Sequence, residues 1–337
     1  MLQRGLEVVL LGATGAVGGE ILGVLEERHF PVTSLRAFAS EDSEGLELEF
    51  RGEPIRVEAL VPQALPECDL ILSAAPDVLE DLLPELRQAE TCLVDVTGAL
   101  ELEPSIPLYL PGFQREGAEL GGSRWLAIPR GVVAGLGLVL APLAREAGLE
   151  RVTALCLESA SGAGLRAAAE LTDQTVHLLN AMTGDPGEPQ IFPRAVAFDC
   201  LPVVGEMLEG EETSEERRLR HVLRRLLGLP TLPIEVTRVR VPIFGGSLAC
   251  AHVELANQLT PDRARTLWEK QPYLEVMGEG DLPTPRSSMG RDGVRVGRIR
   301  SEGEEDRRLS FVLTLDDLRY GSALAAVLAA ETLCRLD

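Results

Sequence analysis

An apolar run near the N-terminus is followed directly by a glycine-rich segment, GATGAVG at 12–18, and then by a helix-like stretch that continues to Glu27. This order predicts a strand, a tight turn and a helix. The glycines would let backbone N–H groups and a helix N-terminus approach a pyrophosphate. A tight turn without a ligand has the same pattern, but in a chain of this size we favour a dinucleotide site. It would comprise Gly12, Ala13, Thr14, Gly15, Ala16, Val17 and Gly18.

Strand-like and helix-like segments alternate through the first part of the chain. The strand-like runs are Val8–Leu11, Ser34–Phe38, Leu70–Leu72, Cys92–Val94 and Trp125–Ala127. Such alternation predicts a parallel, doubly wound sheet of the Rossmann type. From Arg151 onward the strand-like runs are longer and mixed with helices, which predicts a second, α+β domain. The predicted fold class is therefore α/β with two domains.

Charge and composition exclude several partners. The 337 residues carry a formal net charge of −21, and a field of this sign repels nucleic acid and anionic membranes. No apolar run approaches the length of a membrane span, so we expect a cytoplasmic protein. The six cysteines are scattered without a CxxC pair, and neither a disulfide framework nor a metal site is predicted.

Ordered segments along the whole chain resemble aspartate-β-semialdehyde dehydrogenases. Besides GATGAVG at Gly12, they are FPVTSLRAFAS at Phe30, LVDVTGALELEPSIPLYLP at Leu93, LAIPRGVVAGLGLVLAPL at Leu126, SASGAGLRA at Ser159, IFPRAVAFDCLP at Ile191, TSEERRL at Thr213, RVRVPIFGGS at Arg238, DLPTPRSSMGRDGVRVGRIR at Asp281 and DDLRYGSALAAVLAAE at Asp316. The resemblance implies a dinucleotide-binding domain at 1–129 with 316–337, and a catalytic-type, dimerising domain at 130–315. The family reduces β-aspartyl phosphate with NADPH.

Two positions that carry the family's chemistry are altered. The resemblance places the nucleophilic cysteine at Gly131 and the acid/base histidine at Ser247. Glycine has no side chain to attack a carbonyl, and serine does not exchange a proton near neutral pH. Three candidates for replacement, Cys156, Cys250 and His252, fail because the first should be buried and the others should face away from Ser247.

The substrate-binding positions are partly retained. The family's glutamine falls on Glu158 and one substrate arginine falls on Glu101, where an acid would repel an anion. Arg240 stands at the position of the other substrate arginine, and Glu215 with Arg218 reproduces an acid/base pair on one helix face. Residual anion binding and a purely structural ion pair are equally consistent with these three residues.

The cofactor positions are altered as well. At the end of the second strand, Ser40 is followed by Asp42 at the position where the family holds the adenosine 2′-phosphate with arginine. An acid there suits a ribose hydroxyl, so NAD is favoured over NADP if a dinucleotide binds. The later S-A-G-G segment of the family is Ser73-Ala74-Ala75-Pro76 here, which predicts weak binding or none.

Two classes of function follow from the resemblance. The first is a catalytically inactive paralogue of the Usg-type branch, which keeps the fold and the homodimer surface and acts as a binding or regulatory partner. An intact surface would also allow heterodimers with an active family member. The second is an active NAD(P)-dependent oxidoreductase for an aldehyde or acyl phosphate with non-standard catalytic residues. We favour the first, because thiol, imidazole and arginine are interdependent parts of one mechanism.

Overall fold

The computed structural model describes residues 5–60, 66–114, 122–180, 188–303 and 305–334. The chain divides into two compact units, one comprising Met1–Arg130 with Gly321–Asp337 and the other Gly131–Tyr320. Each unit is described by itself.

The first unit is built on a seven-stranded sheet with the order β3-β4-β2-β1-β5-β6-β7. The six strands β4, β2, β1, β5, β6 and β7 run parallel to one another. The edge strand β3 pairs antiparallel with β4. The strands are β1 Leu6–Leu11, β2 Val32–Ala39, β3 Glu47–Phe50, β4 Glu53–Ala59, β5 Leu70–Ser73, β6 Cys92–Asp95 and β7 Trp125–Ala127. Their helices are α1 Ala16–Glu27, α2 Pro76–Leu86 and α8 Leu324–Cys334.

The strand order reverses between β1 and β5. From β1 the chain goes to β2 on one side, and β5 then returns to the other side of β1. In open parallel sheets the crevice outside the carboxyl ends of such strands is the usual ligand site. Leu11 at the end of β1 pairs with Ser73 at the end of β5, so the glycine turn and the Ser73-Ala74 turn meet at this edge.

The second unit contains a six-stranded mixed sheet with the order β11-β12-β13-β10-β8-β9. Its strands are β8 Leu149–Glu158, β9 Ile234–Arg240, β10 Ser247–Leu255, β11 Leu274–Val276, β12 Val294–Ser301 and β13 Arg308–Leu315. The helices are α3 Val132–Ala147, α4 Leu165–Asn180, α5 Ser214–Leu227, α6 Pro261–Trp268 and the short α7 Pro285–Ser288. The predicted α/β architecture with an α+β second domain is confirmed.

Helix α5 begins with a capping box that explains its sequence, Thr213-Ser-Glu-Glu. The Thr213 hydroxyl accepts from the Glu216 backbone N–H at 3.2 Å, and the Glu216 carboxylate accepts from the Thr213 N–H at 2.9 Å. The second oxygen of Glu216 accepts from the Arg238 N–H on β9 at 3.0 Å. The cap therefore also fixes α5 against the edge strand of the sheet.

Candidate functional site

The glycine turn of the first unit is shaped for close backbone approach. Gly12 has φ +79, and a Cβ there would lie 2.9 Å from the carbonyl oxygen of Ala74. A Cβ on Gly18 would lie 2.2 Å from the Gly12 oxygen, so only glycine fits. Gly15 is the N-cap of α1 and no side chain caps that helix end. The first N–H groups of α1 thus have no side-chain cap, and such a helix N-terminus can bind an anion such as a pyrophosphate.

The end of β2 carries the acidic segment predicted to select the cofactor. Glu41, Asp42 and Ser43 form a 3-10 turn directly after Ser40, and both acids are exposed. Ser43 lies 3.3 Å from the Thr14 hydroxyl, which joins this turn to the glycine turn. The turn therefore places two carboxylates, and no arginine, beside the predicted ribose site.

A buried polar atom at the β5 end fits a dinucleotide. The Ser73 side chain is 0% exposed and its Oγ has no hydrogen-bond partner among the described residues. It lies at the strand reversal, next to the tight Gly12–Ala74 contact. Pro76 occupies the first turn of α2, where a missing N–H breaks no helix hydrogen bond. The proline thus leaves the fold of this turn intact, and the residues present fit a bound dinucleotide.

Glu101, which the sequence assigned to substrate repulsion, is an internal residue of the first unit. Its side chain is 0% exposed, and one carboxylate oxygen accepts from the Arg130 backbone N–H at 2.8 Å. The buried Asp95 holds the preceding loop by accepting from the N–H groups of Thr97 at 2.7 Å and Leu100 at 2.9 Å. Glu101 therefore ties its own loop to the segment that follows β7.

Polar side chains form one row across the end of the second unit's sheet. Ser247 on β10 is paired with Glu158 on β8, and Glu158 is paired with Arg240 on β9. Directly paired residues share a sheet face, so these three side chains lie together. All three are at most 6% exposed. The structure thus brings together three of the residues that the sequence singled out.

Glu158 is neutralised by an arginine that the sequence reasoning missed. The Arg238 guanidinium binds both carboxylate oxygens of Glu158, with Nη2 at 2.8 Å from Oε2, and also donates to Glu215 Oε2 at 2.7 Å. Arg218 donates to the same Glu215 at 3.0 Å. Burial alone would lower the pKa of Arg238, but the two carboxylates raise it above its ordinary value. Glu158, Arg238, Glu215 and Arg218 thus form a network of alternating charges.

Arg240 is a buried cation without a carboxylate partner among the described residues. Its Nη1 donates to the backbone oxygen of Ser159, and its guanidinium lies 6.0 Å from the centre of the Phe192 ring. Burial lowers the pKa of Arg240, and the nearby carboxylates only partly oppose this effect. A Cβ on Gly162 would lie 3.0 Å from Nη1, so that glycine makes room for the guanidinium. Arg240 can still attract an anion.

Asp317 lies beside Ser247, the position to which the resemblance assigned the family's histidine. The Ser247 Oγ donates to Asp317 Oδ2 at 2.7 Å, while Oδ1 is buried without a partner among the described residues. Burial raises the pKa of Asp317 to about 7, and Glu158 and Asp316 add to this, whereas Ser247 and Arg240 oppose it. A second acid directly after Asp316 at the end of β13 was the only sequence signal for this residue.

Gly131, at the nucleophile position, is the N-cap of the buried helix α3. Its φ of +59 and ψ of −137 lie in a region that residues with a side chain rarely adopt. No atom lies within 4 Å of the place where a Cβ would stand. A cysteine here would thus have room for its side chain but a strained backbone.

We therefore expect Gly131→Cys and Gly131→Ala to lower the free energy of unfolding by about 1–3 kcal/mol each. Gly19→Ala is the matched control: it also has open space around the Cβ position, but lies inside α1 and should gain roughly 0.5–1 kcal/mol. Urea unfolding of the three variants measures both effects. Equal stability of Gly131→Ala and the parent would show that the backbone at 131 adapts to a side chain.

Cys156, Cys250 and His252, the three candidates for replacement, are placed as the sequence predicted. Cys156 is 0% exposed, and burial raises its pKa far above the ordinary range. Cys250 and His252 lie on the sheet face opposite to Ser247, as alternation along β10 predicts, and His252 Nδ1 lies 2.6 Å from the Ser310 hydroxyl. Within the described ranges, no three His, Cys, Asp or Glu side chains gather to hold a metal ion.

Two family models match the chain. Residues 7–120 match the semialdehyde dehydrogenase NAD binding domain, and residues 140–320 match the semialdehyde dehydrogenase dimerisation domain. An aspartate-semialdehyde dehydrogenase of Legionella pneumophila is 34% identical, with 99% of this chain and 97% of the relative covered. A USG-1 protein homolog of Azotobacter vinelandii is 32% identical over 99% of both chains.

Solved structures agree with the sequence comparisons. The crystal structure of aspartate semialdehyde dehydrogenase II from Vibrio cholerae, complexed with ASA, superposes with a TM-score of 0.92 at 31% identity, and the match covers 99% of both chains.

Across the parts of the chain that the structure describes, no helix combines the length and apolar composition needed to cross a membrane.

Proposed function

Because the chain belongs to the aspartate-semialdehyde dehydrogenase family, we propose that it is a catalytically inactive, Usg-type paralogue with a binding or regulatory role. One observation carries the proposal: the nucleophile position is Gly131, with a backbone conformation suited to glycine. The buried Cys156 does not replace it, because burial raises the pKa of that thiol. Without a nucleophile the thioester step cannot begin. The USG-1 homolog of Azotobacter vinelandii is a relative at 32% identity.

The network around Glu158 supports the same proposal. In an active enzyme of this family the residues at Glu158, Glu215 and Arg218 would contact the substrate. Here Arg238 binds both Glu158 and Glu215, so the negative charges of these carboxylates are compensated by a guanidinium of the protein itself. Arg240 remains the cation available to an anionic ligand. An arginine guanidinium can bind a small carboxylate or phosphate through charge-assisted hydrogen bonds.

We propose that a dinucleotide, if bound, is NAD rather than NADP. The pyrophosphate would be held by the glycine turn and by the α1 N-terminus, which has no side-chain cap. The Ser73 hydroxyl would contact the part of the cofactor that lies at the end of β5. Asp42 and Glu41 beside them would repel a 2′-phosphate but accept from a ribose hydroxyl. When bound, the nicotinamide would supply a hydride acceptor or donor.

We propose a homodimer that forms through the second unit. The matched domain is described as a dimerisation domain. One face of its sheet is open to solvent and partly apolar, with Leu155 41% exposed and Leu248, Cys250 and Leu157 half-buried. A second copy could cover such a face. If that surface also accepts an active family member, the chain would regulate its partner as a heterodimer.

The proposal predicts no phosphate-dependent oxidation of aspartate semialdehyde with either NAD or NADP. The assay is run beside a cysteine-containing homologue as the positive control, and light scattering on the same samples reports the homodimer and any mixed dimer. Turnover at the homologue's rate would contradict the loss of activity. A monomer at micromolar concentration would remove the regulatory role but not the inactivity.

A second candidate function, an active oxidoreductase with non-standard residues, is favoured by Asp317. Its carboxyl group is held by Ser247 and has a pKa raised to about 7 by burial, so it could exchange a proton near neutral pH where the imidazole is missing. No described residue supplies the nucleophile in the same way. Residual oxidation that is lost in Asp317→Asn would support this alternative.

A further inference from the structure

A surface cavity beside β11, an edge strand of the second unit's sheet, is lined by three arginines. The cavity has a volume of about 420 Å³, and its wall contains Arg291, Arg295 and Arg319 together with the two acids Glu275 and Asp292. Three cations thus face two anions. The whole chain carries a net charge of −21, so an excess of positive charge is unusual on this protein. Neither the glycine turn nor the row of polar residues in the second unit lines this cavity.

Two of these arginines, Arg291 and Arg295, lie side by side. Arg291 Nε and Arg295 Nη1 both donate to the backbone oxygen of Ser287, at 3.0 and 3.2 Å. They also share one carboxylate oxygen, Glu275 Oε2, which lies 3.0 Å from Arg295 Nε and 3.5 Å from Arg291 Nη1. Because both guanidinium groups contact the same two oxygens, one small anion could reach them together.

Glu275 compensates only part of the charge of these two arginines. Arg295 binds Glu275 with two nitrogen atoms, the second contact being Nη2 to Oε1 at 2.9 Å. The longer contact of Arg291 leaves its Nη2 without an acceptor among the described residues. The Arg291 side chain is also 53% exposed, whereas that of Arg295 is 12% exposed. Arg291 therefore presents free donors and incompletely compensated charge in the cavity wall.

The turn that precedes β12, Gly290-Arg-Asp-Gly293, adds backbone donors to the same wall. In the part of the chain that the structure describes, the N–H groups of Asp292 and Gly293 have no hydrogen-bond acceptor. A Cβ at Gly293 would overlap the backbone oxygen of Tyr273, so only glycine lets the turn pack this closely against the start of β11. Guanidinium groups and free backbone N–H groups are together a donor set that proteins use to bind phosphate.

We propose that this cavity is a binding site for a phosphate group, carried by a small phosphate monoester or present as free inorganic phosphate. The phosphate oxygens accept from Arg291 Nη2 and from the N–H groups of Asp292 and Gly293. Arg295 contributes positive charge, because its own donors are used by Glu275 and Ser287. The Asp292 carboxylate would repel an anion, but Arg319 binds and compensates it.

The test titrates the full chain with inorganic phosphate and, separately, with glycerol 3-phosphate, and calorimetry at low ionic strength measures the affinities. We expect saturable binding that added salt weakens. Arg291→Gln should weaken it roughly ten-fold or more, because the free donors and the uncompensated charge are lost. The matched control is Arg300→Gln, also on β12: its side chain is 45% exposed and paired with Glu302 outside the cavity, so the affinity should stay unchanged. The tighter of the two ligands identifies the source of the phosphate group.

A second measurement locates the bound phosphate without relying on a variant. In amide NMR spectra of the parent, the resonances of Asp292 and Gly293 should shift as phosphate is added, with the same midpoint as the calorimetric titration. Arg240→Gln should leave these shifts in place, which separates this site from the anion attraction proposed for Arg240. Absence of saturable binding, equal weakening by Arg291→Gln and Arg300→Gln, or binding that is lost in Arg240→Gln but kept in Arg291→Gln would each overturn the proposal.

Discussion

Replacing Arg238 with methionine is expected to lower the free energy of unfolding by roughly 3–5 kcal/mol. The side chain is 5% exposed, and its guanidinium binds both carboxylate oxygens of Glu158, which is itself 6% exposed. Without Arg238 that carboxylate would stay buried with no bound counter-charge. A buried unpaired charge is among the most costly defects that a single substitution can create.

Two further variants give this prediction its controls. Arg151→Met removes an arginine from the same sheet, but its partner Glu235 is 61% exposed at the side chain, so the cost should stay below about 1 kcal/mol. The double variant Arg238→Met with Glu158→Gln removes both charges and should recover most of the lost stability. Urea unfolding measures all three. If Arg238→Met cost no more than Arg151→Met, the Glu158 carboxylate would be hydrated or protonated rather than ion-paired.

The Arg238 network also explains how an acid can stand at the family's glutamine position. From the sequence, Glu158 was inferred to replace the family's glutamine, and repulsion of an anionic substrate was inferred for Glu101. In the structure Arg238 binds Glu158, and Glu215 is drawn into the same interaction. The negative charge of Glu158 is thus compensated within the protein by the Arg238 guanidinium.

Sequence patterns were informative where one local signal determines the structure. Apolar runs bounded by glycine or proline placed β1, β5, β6 and β7, and the glycine spacing placed the turn before α1. The β3–β4 hairpin was missed because its sequences, ELEF and EPIRVEA, carry several charges and little apolar alternation. The hairpin turn has positive φ at Arg51 and Gly52. Gly52 was therefore the available sequence signal for this turn.

The site could be predicted only in part, because its decisive contacts join distant segments. Glu158 and Arg238 are 80 residues apart, and Ser247 and Asp317 are 70 apart. Neither contact can be obtained from spacing within a helix or a strand. A weak signal existed: Arg238 shares the sheet face of Arg240 by alternation, and an acid inside an apolar strand requires a partner. Tertiary pairing decided which partner it found.

Asp317 is expected to make the protein more stable at acidic than at alkaline pH. Burial raises its pKa in the folded state to about 7, from an ordinary value of 3.8. Between these values the folded protein retains a proton that the unfolded chain has lost. The contribution is therefore fully present below about pH 4 and is lost as the pH rises through 7, with a total of roughly 4 kcal/mol.

The decisive variant is Asp317→Asn, which keeps the shape and the contact with Ser247 but cannot ionise. Near pH 4 its unfolding free energy should match that of the parent within about 1 kcal/mol, and at pH 8 the variant should be the more stable protein by a few kcal/mol. Asp262→Asn, which changes an exposed carboxyl group, should leave the difference between the two pH values unchanged. Chemical unfolding at a series of pH values provides the measurement.

The opposite outcome would reassign the charge at this position. If Asp317→Asn were less stable than the parent at pH 8, the carboxylate would be ionised in the folded protein and stabilised by Arg240, the cation that acts on it. Arg240 would then have its counter-charge within the protein and would attract external anions less. Below pH 7 a protonated Asp317, in contrast, would leave Arg240 without this counter-charge and would add a hydrogen-bond donor. The pH dependence of stability therefore also reports whether the second unit keeps a site for a small anion.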